Sequence, residues 1–177
     1  MNIQDIFLDP VQAPAAPVLL SNRDIRRAHK RLQLAWEHLL RVWAQRHPDD
    51  PVPFLSQVYR SAIEQRAYYA QGRESLSVIN ELRDKAGLAP IDAEEAWRKV
   101  TNSPPGRSKH ERTPSEAIDV AFVKKGTKRD LDWTPRLFLQ VAKILREFDP
   151  KITWGADWNR NWNTKDERFI DSPHFEI

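Results

Sequence analysis

The chain has no cysteine among its 177 residues, which excludes disulfides and thiolate metal ligands; any bound metal would need histidine and carboxylate. No apolar run approaches the roughly 20 residues of a membrane span. The opening stretch, Met1 to Leu8, lacks the basic segment of a secretory leader. Membrane insertion is not expected, and the protein is expected to stay in the cytoplasm unless something else releases it. Internal repeats and low-complexity tracts are also missing. Excess charge of one sign is small: 28 Lys and Arg against 25 Asp and Glu give a formal net charge of +3. That is an ordinary soluble surface, still compatible with approach to an anionic polymer.

What the chain does have is length and periodicity. With 40% hydrophobic residues it can bury one core. Residues 1–20, with Pro10, Pro14 and Pro17, read as an extended arm, and 21–177 as a single domain. Ile25, Ala28, Leu32, Ala35, Leu39 and Trp43 recur at threes and fours and predict one amphipathic helix from about Asp24 to Gln45, capped by Ser21 or Asn22. Arg26, Arg27, Lys30, Arg31 and Arg41 lie mostly off that stripe. They read as a solvated face, since no base-reading or stacking module accompanies them, and no nucleic-acid partner is expected. His29, His38 and His47 read as surface or capping histidines.

Phe54 to Tyr59 is strand-like, and Ser61 with Glu64 forms a capping box opening a helix that closes near Gly72. Residues 75–107 look like a helical insertion. Leu76, Ile79 and Leu82 form one stripe that Gly87 stops, and Asp92 with Glu95 starts a second helix carrying Trp97 and Val100. Ala117 to Val123 alternates, setting Ile118, Val120 and Phe122 opposite Ala117, Asp119 and Ala121. Lys124 to Arg129 turns about Gly126. Thr134-Pro135 begins a helix whose buried face is Leu137, Phe138, Val141, Leu145 and Phe148. Ile152 to Trp154 and His174 to Glu176 are strands, the latter placing His174 and Glu176 on one face. The fold class expected is α+β, a small antiparallel sheet flanked by helices, in a monomer.

Two segments concentrate the reactive groups: Ser108 to Asp119 and Asp171 to Ile177. His110, Asp119 and His174 supply the N/O donor set of a hydrolytic Zn²⁺ site, which typically uses three protein ligands and leaves one position for water. Asp171, three residues before His174, is a free carboxylate suited to take that water's proton. Alone, His110 and Asp119 read equally well as a loop histidine and a turn carboxylate. Arg60, at a strand-to-helix junction, suits either an oxyanion or substrate carboxylate or a structural ion pair. Gln65 is a weaker substrate-binding candidate that also suits orienting its neighbours. Ser108 reads as a substrate contact or a plain loop hydroxyl. Trp154, Trp158 and Trp162 suit a groove for glycan or peptide, although packing is the simpler use for the first two. Asp157 reads as a group orienting a ligand histidine or as a turn cap, and Glu176 as a similar support beside His174. Asn159 to Arg168 is polar and reads as a mobile flap.

Ser108-Lys109-His110, Pro114-Ser115-Glu116-Ala117-Ile118-Asp119, Trp154-Gly155-Ala156-Asp157-Trp158 and Asp171-Ser172-Pro173-His174-Phe175-Glu176 together resemble one family. It comprises the zinc D-alanyl-D-alanine carboxypeptidases, the D-Ala-D-Ala dipeptidases and phage endolysins that cut the L-alanyl-D-glutamate bond. Gln57-Val58-Tyr59-Arg60-Ser61, Gln65 and Ala70 to Arg73 extend the resemblance to residues 53–177. It implies a fold like that of the D,D-peptidase and hedgehog group. It also implies zinc on His110, Asp119 and His174, Asp171 as base, Arg60 as a catalytic cation, and a peptidoglycan stem peptide as substrate. The compact chain favours L-alanyl-D-glutamate cleavage, acting on the wall after release from a host cytoplasm. A D,D-carboxypeptidase and a non-catalytic wall-binding virion protein are the alternatives. The chain departs from the family where nine positions, not seven, separate His110 from Asp119 and the intervening glycine is absent. The loop's shape therefore does not carry over.

Overall fold

A computed structural model of the protein describes residues 21–127 and 130–177. The expected extended arm, residues 1–20, lies outside them, as does part of the turn after Gly126. Four strands form an antiparallel sheet in the order β1-β2-β4-β3: β1 Phe54–Gln57, β2 Ala117–Ala121, β3 Thr153–Trp154 and β4 His174–Glu176. Five α-helices accompany it: α1 Lys30–Arg46, α2 Ala62–Ala70, α3 Leu76–Lys85, α4 Ala93–Ala96 and α5 Pro135–Phe148. This is the expected α+β class.

The alternation of β2 divides the molecule into a packed side and a reactive side. Ile118, Val120 and Phe122 join Leu32, Leu39 and Trp43 of α1 and Leu137, Phe138 and Val141 of α5 in the main core. Each such side chain, when fully buried, contributes about 1.5–3 kcal/mol. Asp119 and Ala121 instead line a cavity. Register carries the reactive row across three strands, since Asp119 is paired with Gln57 of β1 and with His174 of β4. A second, smaller core of Ala70, Ile79 and Ala96 joins α2, α3 and α4, with Leu82 and Ile91 packed against it.

The first helix is shorter than its stripe. Ile25–Arg27 is a separate 3-10 turn capped by Asp24, and α1 starts after His29, whose Nδ1 accepts the Arg31 N–H at 3.3 Å. The break occurs because Ala28 bridges Ser115, and the His29 N–H bonds the Ser115 carbonyl at 2.7 Å. Neither Ser21 nor Asn22 caps α1. Several of its basic residues are used internally: Arg31 pairs with Asp149 at 2.6 Å, and Arg27 lies over the Tyr59 ring at 3.9 Å.

The second insertion helix also stops early. α4 ends at Ala96, whose carbonyl accepts the Gly72 N–H at 2.7 Å, and Trp97 is 84% exposed. Phe148 is an exposed residue at the end of α5, touching the His38 ring rather than the core. The Ser61 and Glu64 capping box is present as read.

Candidate metal centre

His110 Nε2, Asp119 Oδ1 and His174 Nδ1 converge. The three atoms are separated by 3.2 Å (His110 to Asp119), 3.1 Å (His174 to Asp119) and 3.3 Å (His110 to His174). They form a group able to hold a metal ion, with both histidines buried. The backbone fixes each one. Asp119 and His174 face each other across the β2–β4 ladder. His110 stands in a 3-10 turn, Lys109–Glu111, capped by Ser108 and Glu111. Its carbonyl accepts the Arg60 N–H at 3.0 Å, which ties the turn to the end of the β1 segment. Across the 111–116 loop, His110 and Asp119 still come within 3.2 Å of each other.

The tautomers follow from the partners. His110 Nδ1 lies 2.9 Å from the Val58 carbonyl, which can only accept, so Nδ1 carries the hydrogen and Nε2 offers a lone pair. His174 Nε2 lies 3.1 Å from Glu176 Oε2. Although burial alone would raise it, the Glu176 pKa is lowered by its bond to His174, so it accepts from Nε2 and leaves Nδ1 facing inward. Two imidazole nitrogens and a carboxylate oxygen thus face one another. A metal ion satisfies all three; otherwise a proton must. Burial alone would lower the His174 pKa, but its hydrogen bonds to Asp119 and Glu176, with the charges of Asp119 and Asp171, raise it to about 10. Burial likewise opposes the charge on Asp119, yet His110 and His174 hold its pKa well below the usual carboxylate range.

A cavity of about 550 Å³ opens over these atoms and is lined also by Arg60, Arg107, Trp133, Trp158 and Asp171. Asp171 has no side-chain hydrogen bond among the described residues. Burial raises its pKa first; His174 opposes this and Asp119 adds to it. Its backbone is locked to Gly155: the Asp171 N–H donates to the Gly155 carbonyl and the Gly155 N–H to the His174 carbonyl, both at 2.8 Å. The Trp154 indole donates to the Ser172 carbonyl at 2.8 Å and braces the same turn.

Arg60 is held rather than swinging. Gln57 Oε1 accepts from Nε at 3.1 Å and Nη2 at 2.6 Å, Gln65 Oε1 accepts from Nη1 at 2.9 Å, and the Tyr68 ring lies 4.8 Å beneath. Its Nη2 is 3.7 Å from Asp119 Oδ2. Gln65, fully buried, also donates to the Ser103 carbonyl at 2.6 Å; it braces Arg60 and is not among the residues that line the cavity. Ser108 lines the cavity, and its hydroxyl oxygen accepts the His110 N–H at 3.3 Å, capping the turn that carries His110. Trp158 lines the cavity beside the His174 ring, 5.6 Å between centroids, and its indole donates to the Phe169 carbonyl at 2.8 Å.

Of the two readings of Asp157, the structure has the turn cap and not the support of a candidate ligand histidine. Fully buried, its carboxylate meets Arg146 at 2.5 Å and accepts the N–H groups of Asn161 and Trp162 at 3.0 and 3.1 Å. The 159–168 segment expected as a flap is cross-tied by these bonds and by Asn161 to Asp166 at 2.7 Å. Trp154 is buried against Phe175, and Trp162 stacks on Arg146 at 4.4 Å. Gln57, Gly155, Arg107 and Trp133 also brace or line the site, and nothing local in the sequence marks them for it. The pairing of Gln57 with Asp119 is the signal that strand alternation alone could have offered.

Comparison with known proteins gives this arrangement a context. The Serratia marcescens L-Ala D-Glu endopeptidase ChiX is 18% identical, with a TM-score of 0.48 over 86% of this chain and 82% of its own. A mutant of the vancomycin resistance D,D-pentapeptidase VanY, from a VanB-type cassette and in complex with Zn(II), is 17% identical. It gives a TM-score of 0.47 over 85% of this chain and 72% of its own. The phage L-alanyl-D-glutamate peptidase family model matches residues 88–177, a span that holds His110, Asp119, Asp171 and His174. The chain belongs to the phage L-alanyl-D-glutamate peptidase family.

Proposed function

We propose that this chain is a zinc-dependent endopeptidase that hydrolyses the bond between L-alanine and D-glutamate in the peptidoglycan stem. The observation that carries the reading is the meeting of two imidazole nitrogens and a carboxylate oxygen, 3.1–3.3 Å apart, in a cavity beside a free carboxylate. A tetrahedral ion with bonds of roughly 2.0–2.1 Å has ligand edges of about 3.3 Å, and its N/O preference suits a chain without cysteine. His110, Asp119 and His174 would hold it. Zinc, when bound, supplies a Lewis acid that brings the pKa of a water to about 7 and polarises the scissile carbonyl.

This chain's own groups do the remaining work. Asp171 accepts the proton of the attacking water on its carboxylate and returns it to the leaving amine nitrogen, so that the C–N bond breaks without releasing an amide anion. Its raised pKa makes it a stronger base than an ordinary aspartate. Arg60, fixed by Gln57 and Gln65, points its charge at the oxygen on which negative charge develops. Glu176 orients the His174 ring. Residues 21–177 act as one monomeric catalytic domain. The 75–107 insertion contributes a wall, since Val100, Thr101 and Ser103 line the cavity. Among the described residues no helix is long and apolar enough to cross a membrane. The substrate would be met at the wall.

Zinc content and mass spectrometry of digested wall test the reading. Cleavage that leaves D-glutamate as a new N-terminus supports it. Release of terminal D-alanine alone would assign a D,D-carboxypeptidase instead, and a metal-free protein that leaves the wall intact would indicate a wall-binding role.

A further inference from the structure

Besides the two histidines, the cavity is lined by Arg60, Lys109 and Arg107, and the first two are already committed. Arg60 is bound by Gln57 and Gln65. Lys109 Nζ donates to Glu116 at 2.6 Å and to the Ile177 carbonyl at 3.0 Å. Arg107, exposed and lining the same cavity, has no side-chain partner among the described residues. Its backbone is nevertheless firmly placed. The Glu111 carboxylate accepts the Gly106 N–H at 2.9 Å and the Ser108 N–H at 3.2 Å, gripping the chain on both sides of Arg107. The Arg107 N–H closes a turn on the Pro104 carbonyl at 3.0 Å, and Gly106 takes the left-handed φ of +81° that this turn requires. A built turn thus displays an unused guanidinium three residues before a candidate metal ligand.

We propose that Arg107 is a specificity residue that binds the free carboxylate of the D-glutamyl residue on the leaving side of the scissile bond. In an L-alanyl-γ-D-glutamyl peptide, the carbon attached to the scissile nitrogen also bears a free α-carboxylate. Substrate therefore brings an anionic group within two bonds of the reacting nitrogen. Inside the cavity Asp171, Glu176 and Asp119 are all acidic, so an unanswered substrate carboxylate would be repelled. A planar guanidinium answers it with paired N–H donors, which an amide or an ammonium does less well. The proposal rests on the endopeptidase reading above and names the feature of the substrate that the site selects.

The test compares N-acetyl-L-alanyl-γ-D-glutamyl-L-lysine with its α-carboxamide counterpart, using zinc-loaded full-length protein and the variants Arg107→Gln and Arg107→Lys. Wild type is expected to prefer the carboxylate. Arg107→Gln is expected to lose about 10- to 100-fold in kcat/KM on it, mainly through KM, while cleaving the carboxamide as wild type does. Arg107→Lys should fall between. Equal losses on both peptides, or no loss on either, would overturn the proposal while leaving the endopeptidase reading intact. If wild type cleaves neither peptide, the endopeptidase reading fails and this proposal fails with it. Zinc content and melting temperature of Arg107→Gln should match wild type, because the side chain is exposed.

Discussion

Gly155 and Asp171 are bound backbone to backbone at 2.8 Å, and they lie so close that a β-carbon on Gly155 would collide with the Asp171 carbonyl oxygen. The same β-carbon would stand 3.1 Å from the β-carbons of Asp171 and His174. The glycine is needed here for close approach, not for an unusual φ. It lets the loop before β4 lie against β3, so that base and ligand share one turn.

Gly155→Ala is therefore expected to displace Asp171 and His174 together. A shift near 1 Å at a reacting group costs about 100-fold. The variant should fold, judged by circular dichroism, yet lose roughly that much in kcat/KM and bind zinc more weakly.

Asp171→Asn should separate activity from stability. The raised pKa of Asp171 means that the folded state favours its neutral form. Stability is thus highest below the unfolded pKa, about 3.9, falls as pH rises through the raised folded value, and is lowest when the carboxylate is ionised. Asparagine removes that cost. The variant should melt at a higher temperature than wild type at pH 7 and still bind zinc. It should lose at least about 100-fold in turnover.

The metal-free protein should lose stability with alkali. His174 rises from 6.5 to about 10, so its contribution is fully present below pH 6.5 and is lost as pH rises through 10. Metal must displace that proton. Calorimetry in buffers of different ionisation enthalpy should show about one proton released per zinc bound near pH 7.5, and zinc should abolish the alkaline loss. Zinc binding without proton release would contradict this.

Gln57→Ala frees one side of Arg60, removing two hydrogen bonds to a charged group. Gln65 and Tyr68 still hold the other side, so a fall of roughly tenfold in kcat is expected, with zinc content unchanged.

Which features the sequence disclosed depends on how local their causes are. Asp119 was legible because strand alternation places it opposite Ile118 and Val120, and Ser61 with Glu64 because a capping box spans four residues. Pro135 marked the start of α5 for the same reason. The start of α1 was not legible. It depends on Ser115, far along the chain, bridging Ala28. Asp157 was legible as a turn cap but not as the partner of Arg146, which only folding brings near from α5. α4 ended early because Gly72 takes its last carbonyl, a tertiary bond with no sequence mark. At the site, residue types and order suggested the donors. The roles of Gln57 and Gly155 emerged only from register and close approach.

The most direct test is mass spectrometry of a purified stem peptide digested by the zinc-loaded protein, with His110→Ala in parallel. The expected result is about one zinc per wild-type chain and a product beginning with D-glutamate. His110→Ala should bind little zinc and leave the peptide intact. Cleavage at that bond by His110→Ala, or by wild type stripped of metal, would contradict a metal centre built on His110, Asp119 and His174.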